Sequence, residues 1–75
     1  MTIKILGGGC PKCRKLYENT KEALTLKGID ATVEKVTDMA EIMNYHVIST
    51  PALVVDEKVV STGQVLRPAD IAEFL

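Results

Sequence analysis

Residues 2–13 read TIKILGGGCPKC, a run that joins a strand pattern to the start of a helix. Apolar and polar side chains alternate over its first residues until three glycines interrupt them, which predicts a first strand over 2–6. Pro11 lies between the two cysteines and suits the first position of a helix, where a missing N–H is harmless. We therefore expect a strand, a glycine loop and a helix that begins at the Cys10–Cys13 pair.

Beyond this segment, periodicity together with helix-start and helix-end residues predicts seven elements in all. Their order is strand, helix, strand, helix, strand, strand, helix. In residue numbers they are 2–6, 11–27, 29–36, 39–46, 52–55, about 59–60, and from 68 onward. The second helix should end near His46, with Met39, Ile42, Met43 and His46 forming an apolar stripe.

The connections between the strands predict the sheet. A helix of about four turns joins the first two strands, so they should form a parallel pair by a right-handed crossover. The third and fourth strands are close enough to form an antiparallel hairpin. We therefore expect an α/β protein with a four-stranded mixed sheet and helices on both faces. A chain of 75 residues predicts one domain, 1–75.

Composition and charge exclude several classes of protein. The formal net charge is −1 with both signs interspersed, which argues against a nucleic-acid partner. The first six residues are too short and too charged for a signal peptide, and no apolar run approaches the roughly 20 residues that a bilayer requires. Two cysteines three positions apart are too few and too close for a secreted disulfide framework. These features predict a cytoplasmic protein without a membrane partner.

The position of Cys10 predicts a reactive thiol. If Cys10 is the N-cap of the first helix, its sulfur faces the free N–H groups of Lys12 and Cys13, which stabilise a thiolate. A helix-end effect of about 0.3 to 2 kcal/mol corresponds to a pKa lowered by up to about 1.5. Pro11 and Lys12 are expected to tune this pKa, Lys12 by adding positive charge. Cys10 is thus predicted to be the nucleophile, and Cys13, one turn inside the helix, the resolving thiol.

A second informative pair is Thr50 and Pro51, which precede an apolar strand. A proline there cannot donate to the sheet ladder, and an ordinary trans proline has the higher base rate. If the bond is cis, the Thr50 backbone turns outward beside the cysteines, where an extended substrate peptide could pair with it. Sequence position alone leaves both possibilities open.

Taken together, these residues resemble the thioredoxin-like superfamily, most closely its short, glutaredoxin-sized redox-active disulfide proteins. The resemblance spans essentially the whole chain and includes segment 7–13, segment 45–55 with Thr50 and Pro51, and Gly63 before the last helix. It implies a thioredoxin fold and a thiol–disulfide oxidoreductase that acts on protein disulfides, works as a monomer, needs no cofactor and is recycled by an unidentified disulfide reductase. It also implies a cis bond at Pro51 and a place for Gly63 near the substrate groove.

The sequence departs from typical relatives at several points. Gly9 replaces the Trp that precedes the dithiol in typical thioredoxins, and the residues between the cysteines are Pro-Lys rather than Gly-Pro. The first strand has no evident counterpart of the buried carboxylate of many thioredoxins. Gly63 is followed by Gln64 rather than by the Asp that holds glutathione in glutaredoxins.

Two other classes of function are compatible with the same residues. One is a metal or iron–sulfur carrier that uses the two thiols across a dimer, since the cysteines supply half of a tetrahedral site and His46 is the only other soft ligand. For His46, however, packing or solvent exposure is the commoner role, and the motif itself predicts no metal. The other class is a non-catalytic adaptor that responds to oxidation, a hypothesis motivated by the missing carboxylate.

Overall fold

The computed structural model describes residues 1–75 as seven elements in the predicted order. They are β1 (Thr2–Leu6), α1 (Pro11–Lys27), β2 (Thr32–Val36), α2 (Met39–Met43), β3 (Ala52–Val55), β4 (Lys58–Thr62) and α3 (Pro68–Ala72).

The strands form one mixed sheet in the order β2-β1-β3-β4. β1 and β2 are parallel, whereas β1 with β3 and β3 with β4 are antiparallel, as the connections predict. Leu6 at the end of β1 lies opposite both Val36 and Ala52. The segment that follows β1, the segment that follows β2 and the segment that precedes β3 therefore lie at the same end of the strands.

Each face of the sheet carries its own apolar cluster. On one face, Leu16 of α1 and Ile71 of α3 pack with Ile3 of β1 and Leu53 of β3, all 0% exposed. On the other face, Ile42 of α2 packs into a smaller cluster with residues of the same strands. Burial of each such side chain contributes about 1.5 to 3 kcal/mol. The predicted arrangement, a four-stranded mixed sheet with helices on both faces, is confirmed.

The second strand is shorter than predicted. α1 ends at Gly28, which adopts φ 65° and donates its N–H to Thr25, while the N–H of Ile29 bonds to Leu24 at 3.0 Å. This helix exit uses the backbone of residues 28–29, so strand pairing begins only at Thr32. Ile29 and Ala31 still pack against the larger core cluster. The alternation that predicted a strand from residue 29 thus reflects burial rather than pairing.

The second helix is also shorter than predicted, ending at Met43 rather than near His46. The N–H groups of Tyr45 and His46 bond to the carbonyls three residues earlier, which tightens the chain into turns. His46 itself has φ 58° and cannot continue a right-handed helix. Met39 and Met43 are both 66% exposed, so the predicted apolar stripe is wrong except at Ile42.

Candidate active site

Cys10 is the N-cap residue of α1. Its backbone is extended, with φ −67° and ψ 164°, and Pro11 occupies the first helical position. The Cys10 sulfur accepts a hydrogen bond from the N–H of Cys13 at 3.1 Å, and its carbonyl accepts from Arg14 at 3.0 Å. One of the free N–H groups that open the helix is therefore already directed at the Cys10 sulfur.

Cys10 and Cys13 are joined by a disulfide bond. Their Cα atoms are 5.0 Å apart, inside the range of about 4.4 to 6.8 Å that disulfides require. The two sulfur-bearing residues differ in exposure: Cys10 is half-buried, while Cys13 is 5% exposed. An incoming molecule can therefore reach Cys10 more readily than Cys13.

Gly7 connects the end of β1 to the inner cysteine. It is buried, and a Cβ built on its backbone would overlap the Cys13 sulfur and lie 3.9 Å from the Cα of Pro51. Both Cys13 and Pro51 thus lie against the backbone of Gly7, where there is no side chain. The sequence predicted only that the three glycines end the first strand and form a loop, and this packing role was missed. Of the three, Gly9 is the residue that needs a left-handed backbone, with φ 84°.

Pro51 lies near Cys13 across Gly7, and it is preceded by Thr50 and hydrogen-bonded to Gly63. The Thr50–Pro51 peptide bond is cis, as the family resemblance implied. Pro51 is buried and accepts a hydrogen bond from the N–H of Gly63 at 2.8 Å. Thr50 is exposed, and neither its N–H nor its carbonyl is bonded within the protein. Gly63 has φ 67°, and a Cβ there would lie 2.9 Å from the Cβ of Ser49.

The charged side chains in the first turn of α1 have one sign. Pro11, Lys12 and Arg14 at the start of α1 are exposed, and the first turn contains no acidic residue. A pocket of about 130 Å³ opens beside Cys13, with Arg14 and Lys35 among its lining residues. The acidic residues that give the chain its net negative charge all lie later in the sequence, from Glu18 onward.

A polar network lies on the α2 face of the sheet. The Lys4 ammonium bonds to Glu57 at 2.7 Å and to the Tyr45 hydroxyl at 2.8 Å. The hydrogen bond to Glu57 and then that to Tyr45 raise the pKa of Lys4 above its ordinary value, and the bond to Lys4 lowers the pKa of Glu57. This network joins β1, the segment after α2 and the β3–β4 turn. It does not include either cysteine.

No group of three or more histidine, cysteine or acidic side chains converges in the structure. His46 is exposed. The two cysteines are bonded to each other, and a metal carrier is not favoured over disulfide chemistry.

Comparison with known proteins also bears on whether the two cysteines serve disulfide exchange or metal binding. A family model described as a thioredoxin domain matches residues 1–75. The chain belongs to the thioredoxin family. A thioredoxin of Methanocaldococcus jannaschii is 43% identical over 75 residues, which cover 100% of this chain and 86% of that protein. A thioredoxin of Methanothermobacter thermautotrophicus is 36% identical over 75 residues, covering 100% and 97% of the two chains.

Family membership together with the Cys10–Cys13 disulfide confirms the predicted function class: this thioredoxin-family protein is a thiol–disulfide oxidoreductase. The predicted thioredoxin fold is likewise confirmed. Among the helices of the structure, none has the length and apolarity needed to cross a bilayer.

Proposed function

We propose that the protein reduces disulfides in other proteins, with Cys10 as the nucleophile and Cys13 as the resolving thiol. The observation that carries this assignment is the position of Cys10 at the N-cap, where its sulfur accepts the N–H of Cys13. In the reduced protein, the same N–H and the helix dipole favour the Cys10 thiolate. Cys13 lies one turn later and is almost fully buried, so it lacks both the helix-end position and the access.

The exchange proceeds in two displacements. The Cys10 thiolate attacks one sulfur of the substrate disulfide, and the other substrate sulfur leaves as a thiolate that takes up a proton. Cys13 then loses its proton and attacks the Cys10 sulfur of the mixed disulfide, releasing the second substrate thiolate. The substrate gains two electrons and the protein is left with the Cys10–Cys13 disulfide. A disulfide reductase, which we propose as the partner, returns the protein to the dithiol.

Pro11 and Lys12 are proposed to support the first displacement. Pro11 has no N–H and a fixed φ, so it favours the start of the helix without adding an unpaired donor. Lys12 is exposed, next to the helix start, and no acidic residue in that turn opposes its charge. Both features favour a negatively charged sulfur at Cys10.

We further propose that an extended substrate segment pairs with the backbone of Thr50. The N–H and carbonyl of Thr50 are exposed and unbonded within the protein. The carbonyl of Pro51 accepts the N–H of Gly63, so these two groups are already paired. The backbone groups of Thr50 next to them remain unpaired. Main-chain pairing of this type accepts many sequences, because it uses groups that every peptide has.

Single serine substitutions test the roles of the two cysteines. Cys10→Ser should abolish insulin reduction in an assay coupled to dithiothreitol, since no nucleophilic sulfur remains at the helix start. Cys13→Ser should instead accumulate a mixed disulfide at Cys10, visible by mass spectrometry under non-reducing conditions. Serine is a good N-cap, so Cys10→Ser should still fold. An unchanged reduction rate for Cys10→Ser would refute the assignment.

Substrate N-methylation tests the pairing at Thr50 without altering the protein. A series of disulfide peptides would carry one N-methyl group each, at successive positions around the cysteine. One position should show a two- to tenfold lower kcat/KM, about the value of one lost hydrogen bond, and the others little change. A series with the same kcat/KM at every position would contradict main-chain pairing.

We also propose that the protein acts as a monomer in the cytoplasm. Its two cysteines bond to each other within one chain, so neither is left to link two copies. Size-exclusion chromatography with light scattering should give a mass near 8.2 kDa in both redox states. A stable dimer in either state would refute this part of the proposal.

A further inference from the structure

The pocket beside Cys13 lies where the start of α1 meets the ends of β1 and β2. Its lining includes Cys13, Gly7 and Gly9 together with Arg14, Lys35 and Thr37. Its volume of about 130 Å³ is several times the roughly 30 Å³ that a water molecule occupies in the liquid. It therefore has room for a small polar group of a substrate.

Both cationic side chains of this pocket lack an anionic partner. The structure contains two ion pairs, Lys4 with Glu57 and Arg67 with Asp70, and neither includes Arg14 or Lys35. Neither cation donates a hydrogen bond within the protein. The Lys35 ammonium lies 4.3 Å from the centre of the Tyr17 ring, a cation–π contact that holds it on the α1 side of β2.

Glu18, Glu34 and Asp38 are close to these cations in sequence, but none of them forms an ion pair with either. Glu18 is four residues after Arg14 on α1, yet forms no ion pair with it. Asp38 follows Thr37, but its carboxylate accepts the N–H of Ala40 at 2.9 Å as the N-cap of α2. The pocket thus combines two unpaired cations and a hydroxyl, next to the cysteine that completes the reaction.

We propose that this pocket binds an anionic group of the substrate, a carboxylate in the first instance, and makes the protein selective for disulfides with negative charge near the sulfur. The inference rests on the proposed disulfide reduction and adds the substrate class to it. A carboxylate held between Arg14 and Lys35 would position the substrate sulfur beside the Cys10–Cys13 pair. The Thr37 hydroxyl can donate one further hydrogen bond to the same group.

Small disulfides that differ in charge test the proposal directly. Wild-type protein should reduce dithiodipropionate, which is anionic, with a kcat/KM about three- to tenfold above that for neutral hydroxyethyl disulfide, and cystamine, which is cationic, below both. The preference should shrink as salt is added, because exposed charges are screened. Equal kcat/KM for the anionic and neutral compounds would overturn the proposal. Failure to reduce any of the three would instead count against the proposed function.

Variants locate the preference in the pocket. Arg14→Met with Lys35→Met should reduce the ratio of anionic to neutral kcat/KM to near one. Lys27→Met with Lys58→Met is the matched control, since it also removes two positive charges, from exposed sites at the far end of α1 and at the start of β4. Because the ratio is measured within each variant, a general change in Cys10 reactivity cancels. An Arg14→Met, Lys35→Met double variant that keeps the wild-type ratio would refute the pocket as the source.

A peptide pair distinguishes the two sources of a carboxylate. Disulfide peptides with Glu or Gln next to the cysteine should differ in kcat/KM by the same factor if protein side chains occupy the pocket. If only dithiodipropionate shows the preference, the substrate class is a small anionic disulfide. In both cases the Arg14→Met and Lys35→Met changes should remove the preference.

Discussion

At Gly7 the backbone itself forms one wall of the active site. The chain passes so close to the Cys13 sulfur that a single added carbon would overlap it, and the same carbon would lie 3.9 Å from the Cα of Pro51. The neighbouring Gly8 differs entirely: it is exposed, and nothing lies within 4 Å of where its Cβ would be. Two adjacent glycines of the same loop therefore have different reasons to lack a side chain.

Gly7→Ala should destabilise the protein by about 1 to 3 kcal/mol, because the new methyl group overlaps the Cys13 sulfur and must displace it. It should also slow disulfide reduction, since the displaced residue is Cys13, the proposed resolving thiol. Gly8→Ala provides the control and should change the free energy of unfolding by less than about 0.5 kcal/mol. Urea unfolding of the two variants makes the comparison. Equal stability of the two would contradict the close packing at Gly7.

At the scale of the element, α1 is the part of the fold that its sequence predicts most directly. Pro11 at its first position, apolar side chains at helical spacing and Gly28 at its end agree with one another, and the observed bounds follow them. α2 shows the opposite case. It has five residues, barely more than one turn, so helical spacing does not determine which side chains face the sheet. Ile42 is buried, whereas Met39 and Met43, with similar spacing, are exposed.

The N-cap of α1 has a stability effect that can be separated from its chemistry. Cys10→Ala and Cys10→Ser both remove the disulfide, but only serine can accept the N–H that the Cys10 sulfur accepts now. Cys10→Ala should therefore be the less stable of the two by about 0.5 to 2 kcal/mol. Thermal unfolding of both variants in reducing buffer measures the difference. If the alanine variant were as stable as the serine variant, the side chain at position 10 would not cap the helix.

At the scale of the whole molecule, the Lys4 network joins three segments that are distant in sequence. Lys4 lies in the central strand β1, Tyr45 follows α2, and Glu57 lies in the β3–β4 turn. That turn consists of Asp56 and Glu57, both with positive φ, a geometry usually given to glycine or asparagine. The contacts of Glu57 with Lys4 and Tyr45 stabilise this turn conformation. They lie on the α2 face of the sheet.

The network predicts a dependence of stability on pH. The pKa of Glu57 is lowered in the folded protein from its ordinary value of 4.5, so the carboxylate contributes stability above that pH and the contribution is lost as the pH falls through the lowered value. The pKa of Lys4 is raised above its ordinary value of 10.5, so its contribution is lost only in strong alkali. Between pH 6 and 3, wild-type protein should thus lose more stability than Glu57→Gln.

Chemical unfolding across this range measures the difference between the two proteins. Glu22→Gln is the control, because Glu22 is an exposed carboxylate on α1 without an ion pair. Its stability should follow the wild-type profile. Parallel profiles for wild type and Glu57→Gln would show that the ion pair contributes nothing to folding.

Sequence reasoning recovers the order of the elements, the sheet pairing and the N-cap position of Cys10, because each depends on local patterns or on short connections. It does not recover features that depend on contacts between distant segments. The packing of Gly7 against Pro51 requires β1 and β3 to lie side by side, and the pocket cations Arg14 and Lys35 come from different elements. Likewise, the cis bond before Pro51 followed from the family resemblance and not from the residues themselves.

The strand order has a consequence for local opening. β1 and β3 are the two inner strands, and β1 leads to the dithiol while β3 follows Pro51. Amides in the middle of a sheet exchange with solvent deuterium more slowly than those at its borders, which fray at little cost. Transient unpairing of β2 or β4 would therefore leave β1 and β3 paired. The Cys10–Cys13 segment and the Thr50–Pro51 segment would then keep their relative positions. The protein can fluctuate at its margins and still remain competent for electron transfer to its targets.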